Sequence, residues 1–385
     1  MEDKRLNSAL EVLKVLNNNG YEAYLVGGYV RDYLLGTEGK DIDITTNALP
    51  QKVQELFPNN YSKSLKFKTI VVRNGGYEFE VTTYRIDKKY KDHRHPESKE
   101  STSLKEDVKR RDFTVNAICM DKDLKTIDYV DGISDLRLHI IRAVGNPHKR
   151  FNEDALRMFR AFRFASRLGF KIDEETYDGI VKNAPLVKYI SKERIRQELE
   201  GTVETASFKS IIQLMIDSDI FKMMPDMNHA FSHLKENYYP SNLLDIICLA
   251  SFLKGEITDE LILTKKERKF VQDTLSFIEL LKLRKITPVD FFECDFNAVK
   301  EALKILEIER QTPYSLEDLE NLYESLPVKK LKELKITGDE VIANLDITDQ
   351  TKIKEYLRLL VVAVIYNKVK NNNKDLIEYL KGIAL

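Results

Sequence analysis

The stretch LVGGYVRDYLLGTEGKDIDITT, residues 25–46, decides the fold of the amino-terminal part of this 385-residue chain. Its first residues predict a short strand that ends at Gly27 and Gly28, followed directly by a helix. Glycines in such a turn let the backbone approach a ligand closely, and the start of the helix presents free N–H groups to phosphate. Arg31 lies one turn into the helix and can reach the same anion. The segment predicts an anion-binding turn, although on the glycines alone a tight turn without a ligand stays open.

Two acidic residues follow, in a segment whose alternation predicts a strand over residues 41–45. Alternate residues of a strand share a face, so Asp41 and Asp43 project together while Ile42 points into the core. Parallel carboxylates repel each other unless a cation lies between them, and Mg²⁺ binds a couple of carboxylates together with substrate phosphates. These residues predict a magnesium site. A solvated edge strand is the alternative, and the glycine turn upstream weakens it.

A third acid is predicted on a β-hairpin downstream. The strands are expected over Thr69–Val72 and Tyr77–Thr83, joined by a turn at residues 74–76. Alternation places Glu80 on the polar face of the second strand. Two metal ions held by such acids would activate an attacking hydroxyl and stabilise a leaving pyrophosphate. The predicted catalytic residues are therefore Asp41, Asp43 and Glu80.

The order strand, Gly-Gly, helix, Asp-x-Asp and hairpin acid resembles the polymerase-β nucleotidyltransferase superfamily. The segments GGYVRDYLLG and KDIDITT are similar to the class II tRNA nucleotidyltransferase (CCA-adding enzyme) and bacterial poly(A) polymerase family. This resemblance implies two Mg²⁺ ions on Asp41 and Asp43, and a triphosphate held by Gly27, Gly28 and Arg31.

The segment RRDFTVNA, residues 110–117, resembles a second motif of the family, RRDFTxNA. It places two guanidiniums, an acid and an amide just before a predicted strand. This set suits binding of phosphate and recognition of the ribose 2′-OH. The resemblance thus implies nucleotide-binding roles for Arg110, Arg111, Asp112 and Asn116.

The segment NEDALRMFR, residues 152–160, resembles the family motif EDxxRxxRAxRFA. Asp154 and Arg157 lie at i and i+3 of a predicted helix, so they emerge on one helix face. A carboxylate accepts from an amino group, and a guanidinium donates to a ring nitrogen or carbonyl. Cytosine and adenine both present an amino group beside an acceptor nitrogen, so the pair would accept C and A and reject G and U. The alternative is an ordinary helix start with an intrahelical ion pair.

Neighbouring residues of this motif receive supporting roles. Glu153 is predicted to orient Arg157 or to cap the helix, and Arg160 to stack on or hydrogen-bond the nucleotide. Arg163 is a further candidate for nucleotide binding. In the helix of residues 191–201, which resembles the family's last motif and is assigned to bracing, Arg194 and Arg196 are candidates to face RNA.

Residues 84–107 are highly charged and lack apolar periodicity, so they are predicted to form a mobile loop. The stretch resembles the flexible loop of the family, which members that add only CC lack, and its presence favours the ability to add A. Arg85 and Asp87 are candidates for reshaping the site after the two Cs. His93 and His95 are expected to be solvent-exposed and not metal ligands.

The predicted fold class is α+β: an N-terminal polymerase-β-like nucleotidyltransferase head with a mixed β-sheet, followed by an elongated all-helical neck, body and tail. From residue 152 onward the apolar period is helical. The predicted division is a catalytic head (1–145), a neck with the nucleobase-recognition helix (146–210), a body (211–310) and a tRNA-binding tail (311–385).

Composition limits the classes of function. The net charge is −1, with +3 on residues 1–150 and −4 on the remainder, so any phosphate-binding surface must be a local patch. Three widely spaced cysteines indicate neither a disulfide framework nor a zinc site. No signal peptide and no apolar run long enough to span a bilayer is recognised. A cytoplasmic protein with no membrane association and no obligate protein partner is expected.

The sequence thus predicts template-independent addition of C, C and A to the 3′ end of tRNA from CTP and ATP. Three alternatives stay open: an A-adding enzyme that works with a separate CC-adding enzyme, a bacterial poly(A) polymerase, and a catalytically silent RNA-binding relative. The tail pattern disfavours the polymerase, and the intact acids disfavour the silent relative.

Overall fold

The computed structural model describes residues 3–39, 41–64, 68–90, 96–234, 240–283, 285–309, 314–345 and 350–383. The chain divides into two compact units, Met1–Asn228 and His229–Leu385. In the described parts of the chain, no helix is long and apolar enough to cross a membrane.

The strands are short, and in the described parts of the chain they all lie in the first unit. They are β1 Ala23–Val26, β2 Asp43–Thr46, β3 Asn60–Ser64, β4 Thr69–Asn74, β5 Tyr77–Thr83, β6 Arg85–Tyr90, β7 Pro96–Glu100, β8 Cys119–Met120, β9 Thr126–Ile127, β10 Ile140–Ile141 and β11 Lys171–Ile172. Seven of them form one sheet in the order β3-β4-β5-β2-β1-β8-β9. Within it β2 and β5 run parallel, and the other neighbouring pairs run antiparallel. The predicted mixed sheet is confirmed.

Helices surround this sheet and make up most of the chain beyond it. They are α1 Lys4–Asn18, α2 Gly28–Leu34, α3 Pro50–Leu56, α4 Leu104–Lys109, α5 Gly132–Leu138, α6 Pro147–Glu153, α7 Leu156–Leu168, α8 Glu174–Asn183, α9 Lys192–Val203, α10 Phe208–Asp217, α11 Pro225–His233, α12 Leu243–Lys254, α13 Lys265–Lys282, α14 Phe296–Ile308, α15 Leu316–Glu324, α16 Gly338–Leu345, α17 Gln350–Ile365 and α18 Asn373–Ile383. The α+β class is confirmed. The four-part domain division stays a prediction.

The first strand pair fixes the acidic segment beside the glycine turn. In β1, Val26 pairs with Asp43, and β1 ends there because the chain turns at Gly27. Asp41 has no ladder partner for this reason, so β2 begins at Asp43 and not at Asp41 as predicted. The alternation nevertheless extends through the segment, because Ile42 and Ile44 are both buried.

The prediction that residues 84–107 form a mobile loop was wrong for the described part of this stretch. The strands β6 and β7 pair antiparallel, with Arg85 opposite Glu100, and α4 follows. Tyr84, Leu104 and Val108 are buried in one apolar cluster with residues of β1 and β8. These three side chains anchor both ends of the charged stretch, although their wide spacing gives no periodic signal. His93 and His95 lie outside the described residues.

In the second unit, α12, α13 and α14 pack together. The start of α13 is fixed by a capping box, in which Thr264 and Glu267 each bond the other's backbone N–H. The Phe296 and Tyr323 rings stack with their centroids 4.5 Å apart, joining α14 to α15. The carboxyl-terminal helices α16 to α18 pack against one another.

Candidate active site

The centre of the candidate site is a pair of acids on adjacent parallel strands. Asp43 of β2 lies opposite Glu80 of β5 in the ladder register. Both side chains line a cleft of about 230 Å³. The position of Glu80, predicted from alternation alone, is therefore beside Asp43. Asp41, exposed and just ahead of β2, lies close enough for its charge to act on Asp43.

Ionisation of Asp43 is disfavoured by its surroundings. Burial and the charge of Glu80 raise the pKa of the Asp43 carboxyl to about 6, and Asp41 adds to this effect. Arg111 opposes it. Lys63 of β3 forms an ion pair with Glu80, so part of the negative charge is already balanced. A cation between the carboxylates would relieve the remaining repulsion.

The oxygen ligands at this site fit a hard divalent cation. Among the residues that the structure describes, no group of three or more acidic, histidine or cysteine side chains forms a ready-made metal site. Mg²⁺ does not require one, because it is commonly held by one or two carboxylates and completes its shell with water and substrate phosphates. The donor set of Asp41, Asp43 and Glu80 is thus suited to Mg²⁺ bound together with a nucleotide.

The glycine turn lies directly against the acids. Gly27 has φ +85° and ψ −144°, a backbone conformation that a residue with a side chain rarely adopts. A Cβ atom built on Gly27 would lie 3.4 Å from Oδ2 of Asp43, and one on Gly28 would lie 3.5 Å from Nη2 of Arg31. The backbone of the turn therefore lies close to the Asp43 carboxylate and to Arg31, and any side chain at Gly27 or Gly28 would contact them.

Arg31 lies beneath this turn and not on the surface of the cleft. Its side chain is 1% exposed. Its Nε donates to Oδ1 of Asp32 over 2.8 Å, and its Nη1 donates to Oδ1 of Asn116 over 2.6 Å. The predicted nucleotide-binding residues Arg31 and Asn116 are thus bonded to each other. In this arrangement they tie α2 to the segment that follows the RRDF motif.

The two arginines at the start of the RRDF motif line the same cleft as Asp43 and Glu80. Nε and Nη2 of Arg110 donate to Oδ1 of Asp107, over 2.9 and 2.5 Å. Nη2 of Arg111 donates to Oδ2 of the same carboxylate over 3.1 Å. The Nε of Arg111 is buried and finds no hydrogen-bond acceptor among the described residues. A cleft with a buried, unsatisfied donor beside the acids is suited to an anion.

Asp112 is already paired with a residue of the recognition motif. Its Oδ2 accepts from Nε and Nη2 of Arg160, over 2.8 and 2.5 Å, and its Oδ1 accepts from the backbone N–H of Phe113. Burial alone would raise the pKa of Asp112, but the charge of Arg160 and these hydrogen bonds leave it below its usual value. Asp112 is therefore ionised at neutral pH, and it connects the RRDF motif to α7.

The prediction that Asp154 and Arg157 share one helix was wrong. Asp154 has φ −142° and ψ 102°, an extended conformation that ends α6, and α7 begins at Leu156. Its Oδ1 accepts from the N–H of Leu156 over 3.2 Å, and its Oδ2 accepts from Nη2 of Arg194 over 3.3 Å. The reason for the break is that an aspartate competes for backbone N–H groups and so favours helix starts over helix interiors.

Arg157 points back toward α6 and the RRDF motif. Its Nη1 donates to Oε2 of Glu153 over 3.2 Å and to the carbonyl of Arg150, and its Nη2 donates to the carbonyl of Arg110. The contact with Glu153 is the one expected if Glu153 orients Arg157, which stays a prediction. The side chain of Arg157 is 11% exposed, so a ligand would contact it only from within the junction of α6 and α7.

Two other arginines of α7 and Arg31 of α2 surround one aromatic ring. The guanidiniums of Arg31, Arg160 and Arg163 lie 5.6, 5.2 and 4.6 Å from the ring centre of Phe164. Nε of Arg163 also donates to Oε2 of Glu198 on α9 over 2.5 Å. This cluster joins the glycine turn, α7 and α9.

The helix α9 braces the recognition segment. Arg194 pairs with Asp154, whereas Arg196 pairs with Glu200 of its own helix over 2.8 Å. Sequence reasoning missed Asp107, Arg194 and Glu198 as partners of the candidate site. Burial of their carboxylates and guanidiniums depends on the tertiary packing, for which the sequence carries no local signal.

Family models match three parts of the chain. Residues 23–142 match the Poly A polymerase head domain, residues 169–231 match a probable RNA and SrmB-binding site of polymerase A, and residues 250–380 match the putative domain 2 of tRNA nucleotidyltransferase. The described sheet and the carboxylate site fall within the first match.

Relatives named CCA-adding enzyme match nearly the whole chain. That of Limosilactobacillus reuteri (strain DSM 20016) is 33% identical over 100% of this chain and 99% of its own, and that of Geobacillus sp. (strain WCH70) is 35% identical over 97% and 96%. The crystal structure of the Bacillus stearothermophilus CCA-adding enzyme in complex with CTP superposes with a TM-score of 0.82 at 31% identity, covering 99% of this chain and 98% of that one. By fold, site and full-length similarity, this chain is an enzyme of the CCA-adding family of tRNA nucleotidyltransferases.

Proposed function

We propose that the chain adds C, C and A to the 3′ end of tRNA from CTP and ATP without a template and releases pyrophosphate. The observation that carries this proposal is the placement of Asp43 opposite Glu80, beside the Gly27 turn. The proposal is also supported by full-length relatives that are named CCA-adding enzymes. The CTP complex of the Bacillus stearothermophilus enzyme and a CCA-adding enzyme complex with ATP, 25% identical with a TM-score of 0.70, support the choice of nucleotides.

Membership of this family indicates use of a divalent metal. In the proposed site Asp41 and Asp43 would hold two Mg²⁺ ions, with Glu80 as the neighbouring acid. When bound, the ions neutralise charge on the attacking 3′ hydroxyl and on the leaving pyrophosphate. The raised pKa of Asp43 supports this role, because it is caused by burial and then by repulsion from Glu80, and a cation would relieve the repulsion.

The triphosphate is proposed to lie between the glycine turn and the RRDF arginines. Gly27 and Gly28 leave room for the phosphates, and Arg110 and Arg111 supply positive charge from the wall of the cleft. The buried Nε of Arg111 supports this placement. Arg31 would act from beneath the turn by holding it in place.

Base and sugar selection is proposed to lie at the junction of α6 and α7. Asp154 accepts the amino group of cytosine or adenine, and Arg157 donates to the acceptor nitrogen beside it. Asp112 recognises the ribose 2′-OH, with Asn116 behind it, and Arg160 and Arg163 contact the nucleotide. In the described structure Arg157 is bonded to Glu153 and to two carbonyl oxygens. Base reading therefore includes an exchange of its partners.

The tail over residues 311–385 is proposed to bind the tRNA, following a neck over 146–210 that carries the nucleobase-recognition helix and a helical body over 211–310. The match of residues 250–380 to a tRNA nucleotidyltransferase domain supports this assignment. The cytoplasmic location inferred from the sequence belongs to the same proposal.

A single-nucleotide incorporation assay tests the function. A tRNA that ends at the discriminator base is incubated with Mg²⁺ and each nucleoside triphosphate, alone and in pairs. Two additions with CTP, a third only when ATP is present, and none with GTP or UTP are expected. Addition of A alone to tRNA that already ends in CC, or of a long A tail, would contradict the proposal. Asp43→Asn serves as the inactive control.

A further inference from the structure

One buried carboxylate outside the predicted site accepts hydrogen bonds from several parts of that site. Asp107, in the last turn of α4, is 0% exposed. It accepts hydrogen bonds from both Arg110 and Arg111, as described above. Its Oδ2 also accepts from Oγ1 of Thr45 over 3.2 Å, and its Oδ1 from the backbone N–H of Arg85 over 3.3 Å.

Each of these partners belongs to a different part of the candidate site. Thr45 lies on β2, two residues after Asp43. Arg85 is the first residue of β6, where the charged hairpin begins. Arg110 and Arg111 form the start of the RRDF motif. One carboxylate therefore connects the metal-binding strand, the hairpin and the arginines of the cleft.

The position of Arg111 depends on this carboxylate. Arg111 lines the same cleft as Asp43, and its charge acts on Asp43. Only its Nη2 donates to Asp107, whereas its Nε is buried without an acceptor among the described residues. A guanidinium is rigid and planar, so fixing one nitrogen sets the direction in which the others donate. Asp107 thus determines the orientation in which the remaining N–H groups of Arg111 can donate to an anion.

We propose that Asp107 is a positioning residue for nucleoside triphosphate binding, which holds Arg110 and Arg111 against the phosphates and ties them to the strand of Asp43. This inference rests on the proposed function, and it adds a residue to which no role in the reaction had been assigned. Asp107 itself touches neither the nucleotide nor the reacting atoms.

Asp107 can perform this role because it stays ionised although buried. Burial would raise the pKa of its carboxyl, but the charges of Arg111 and Arg110 and the hydrogen bond from Arg85 leave the pKa below its usual value. Without this charge, two adjacent guanidiniums would repel each other and lose their common acceptor. Their side chains would then sample several directions.

The test compares Asp107→Asn with Asp135→Asn. Asp135 is also a buried aspartate of the same unit, and it accepts from Thr114 and Arg142 without lining the cleft. Steady-state kinetics with tRNA, CTP and ATP and thermal unfolding are measured for both. Asp107→Asn is expected to raise KM for CTP and ATP alike by roughly 10- to 100-fold, the equivalent of one hydrogen bond to a charged group. The preference for CTP over UTP should stay unchanged.

A double-mutant cycle with Arg111→Gln separates positioning from general damage. If Asp107 acts through Arg111, Asp107→Asn has little further effect on KM in the Arg111→Gln background. Thr45→Val, which removes one donor but keeps the shape, should produce a smaller rise in KM. Full additivity in the cycle, or equal effects of Asp107→Asn and Asp135→Asn, would overturn the inference. Failure of the wild-type chain to extend tRNA would instead overturn the proposed function.

Discussion

Asp43 and Glu80 face each other across two parallel strands of an otherwise antiparallel sheet, and both carboxylates line one cleft. Parallel pairing in register places both side chains on the same face of the sheet. The acids come from segments 37 residues apart in sequence, yet neither can move away from the other without breaking the ladder. The charge repulsion is therefore built into the sheet, and together with burial, which has the larger effect, it raises the pKa of Asp43.

Asp43→Asn is expected to abolish nucleotide addition and at the same time to stabilise the metal-free protein. The loss of activity should be on the order of a thousandfold or more, as when a main electrostatic contact of a transition state is removed. Stability should rise because the amide is isosteric and carries no charge to be buried near Glu80. Addition to tRNA and the melting temperature in EDTA are measured. A variant with full activity would exclude the metal-binding role of Asp43.

The stability of the metal-free protein should depend on pH through Asp43. Its carboxyl has a pKa of about 6 in the fold, above its reference value of 3.8, so the folded chain binds the proton more tightly than the unfolded chain. The resulting stability is present below pH 3.8 and is lost as the pH rises through about 6. The melting temperature of the wild type should thus fall relative to Asp43→Asn between about pH 4 and pH 6, and the difference should level off at higher pH.

Added Mg²⁺ provides the matching measurement. Above pH 6 it should raise the melting temperature of the wild type, and Asp43→Asn should respond much less. A parallel response of both proteins to pH and to Mg²⁺ would show that Asp43 is not the titrating ligand.

Gly27→Ala should impair triphosphate binding beyond its effect on stability. Its φ of +85° with ψ −144° makes any side chain costly, by about 1–3 kcal/mol, and the methyl group would lie against Asp43. Gly36→Ala is the matched control, because Gly36 also has a positive φ, of +70°, but open space around it. Both variants should melt earlier than the wild type. A rise in KM for CTP is expected for Gly27→Ala alone, and equal KM values would contradict the proposed phosphate site.

Asp154→Asn should weaken base selection. The amide can donate to the carbonyl of uracil where the carboxylate only accepts, so the preference for CTP over UTP should fall by roughly 10- to 100-fold. Asp173→Asn is the control, because Asp173 likewise caps a helix, α8, and pairs with an arginine, Arg142. The ratio of kcat/KM for CTP and UTP is the measurement. An unchanged ratio, or the same change in both variants, would remove Asp154 from the base-reading set.

The sequence was sufficient for the parts of the site that depend on short-range geometry. Alternation predicted that Ile42 and Ile44 are buried, and it predicted Glu80 on the second strand of the hairpin. Both are consequences of the two-residue period of a strand, which does not depend on the rest of the fold. That Glu80 lies opposite Asp43 depends on the order of the strands in the sheet, which alternation does not give.

The errors concern residues whose environment is set by distant partners. Asp154 breaks the predicted helix because its side chain bonds the N–H of Leu156 and its carboxylate meets Arg194 of α9. The stretch around Arg85 was predicted as a loop because it is rich in charged residues and its three anchoring apolar side chains are too widely spaced to form a periodic pattern. Arg31 was predicted to reach a bound phosphate, and its hydrogen bond to Asn116 is visible only in the fold.

The ring of Phe164, with guanidiniums from Arg31 on one helix and from Arg160 and Arg163 on another around it, has a mechanical consequence. Any rotation of α7 would move α2 with it, since cationic groups packed on a shared aromatic surface resist separation. In the proposed reaction, a change of specificity from the second C to the final A would then proceed by small adjustments of side chains and of the β6–β7 hairpin, while α2 and α7 move together as one rigid body.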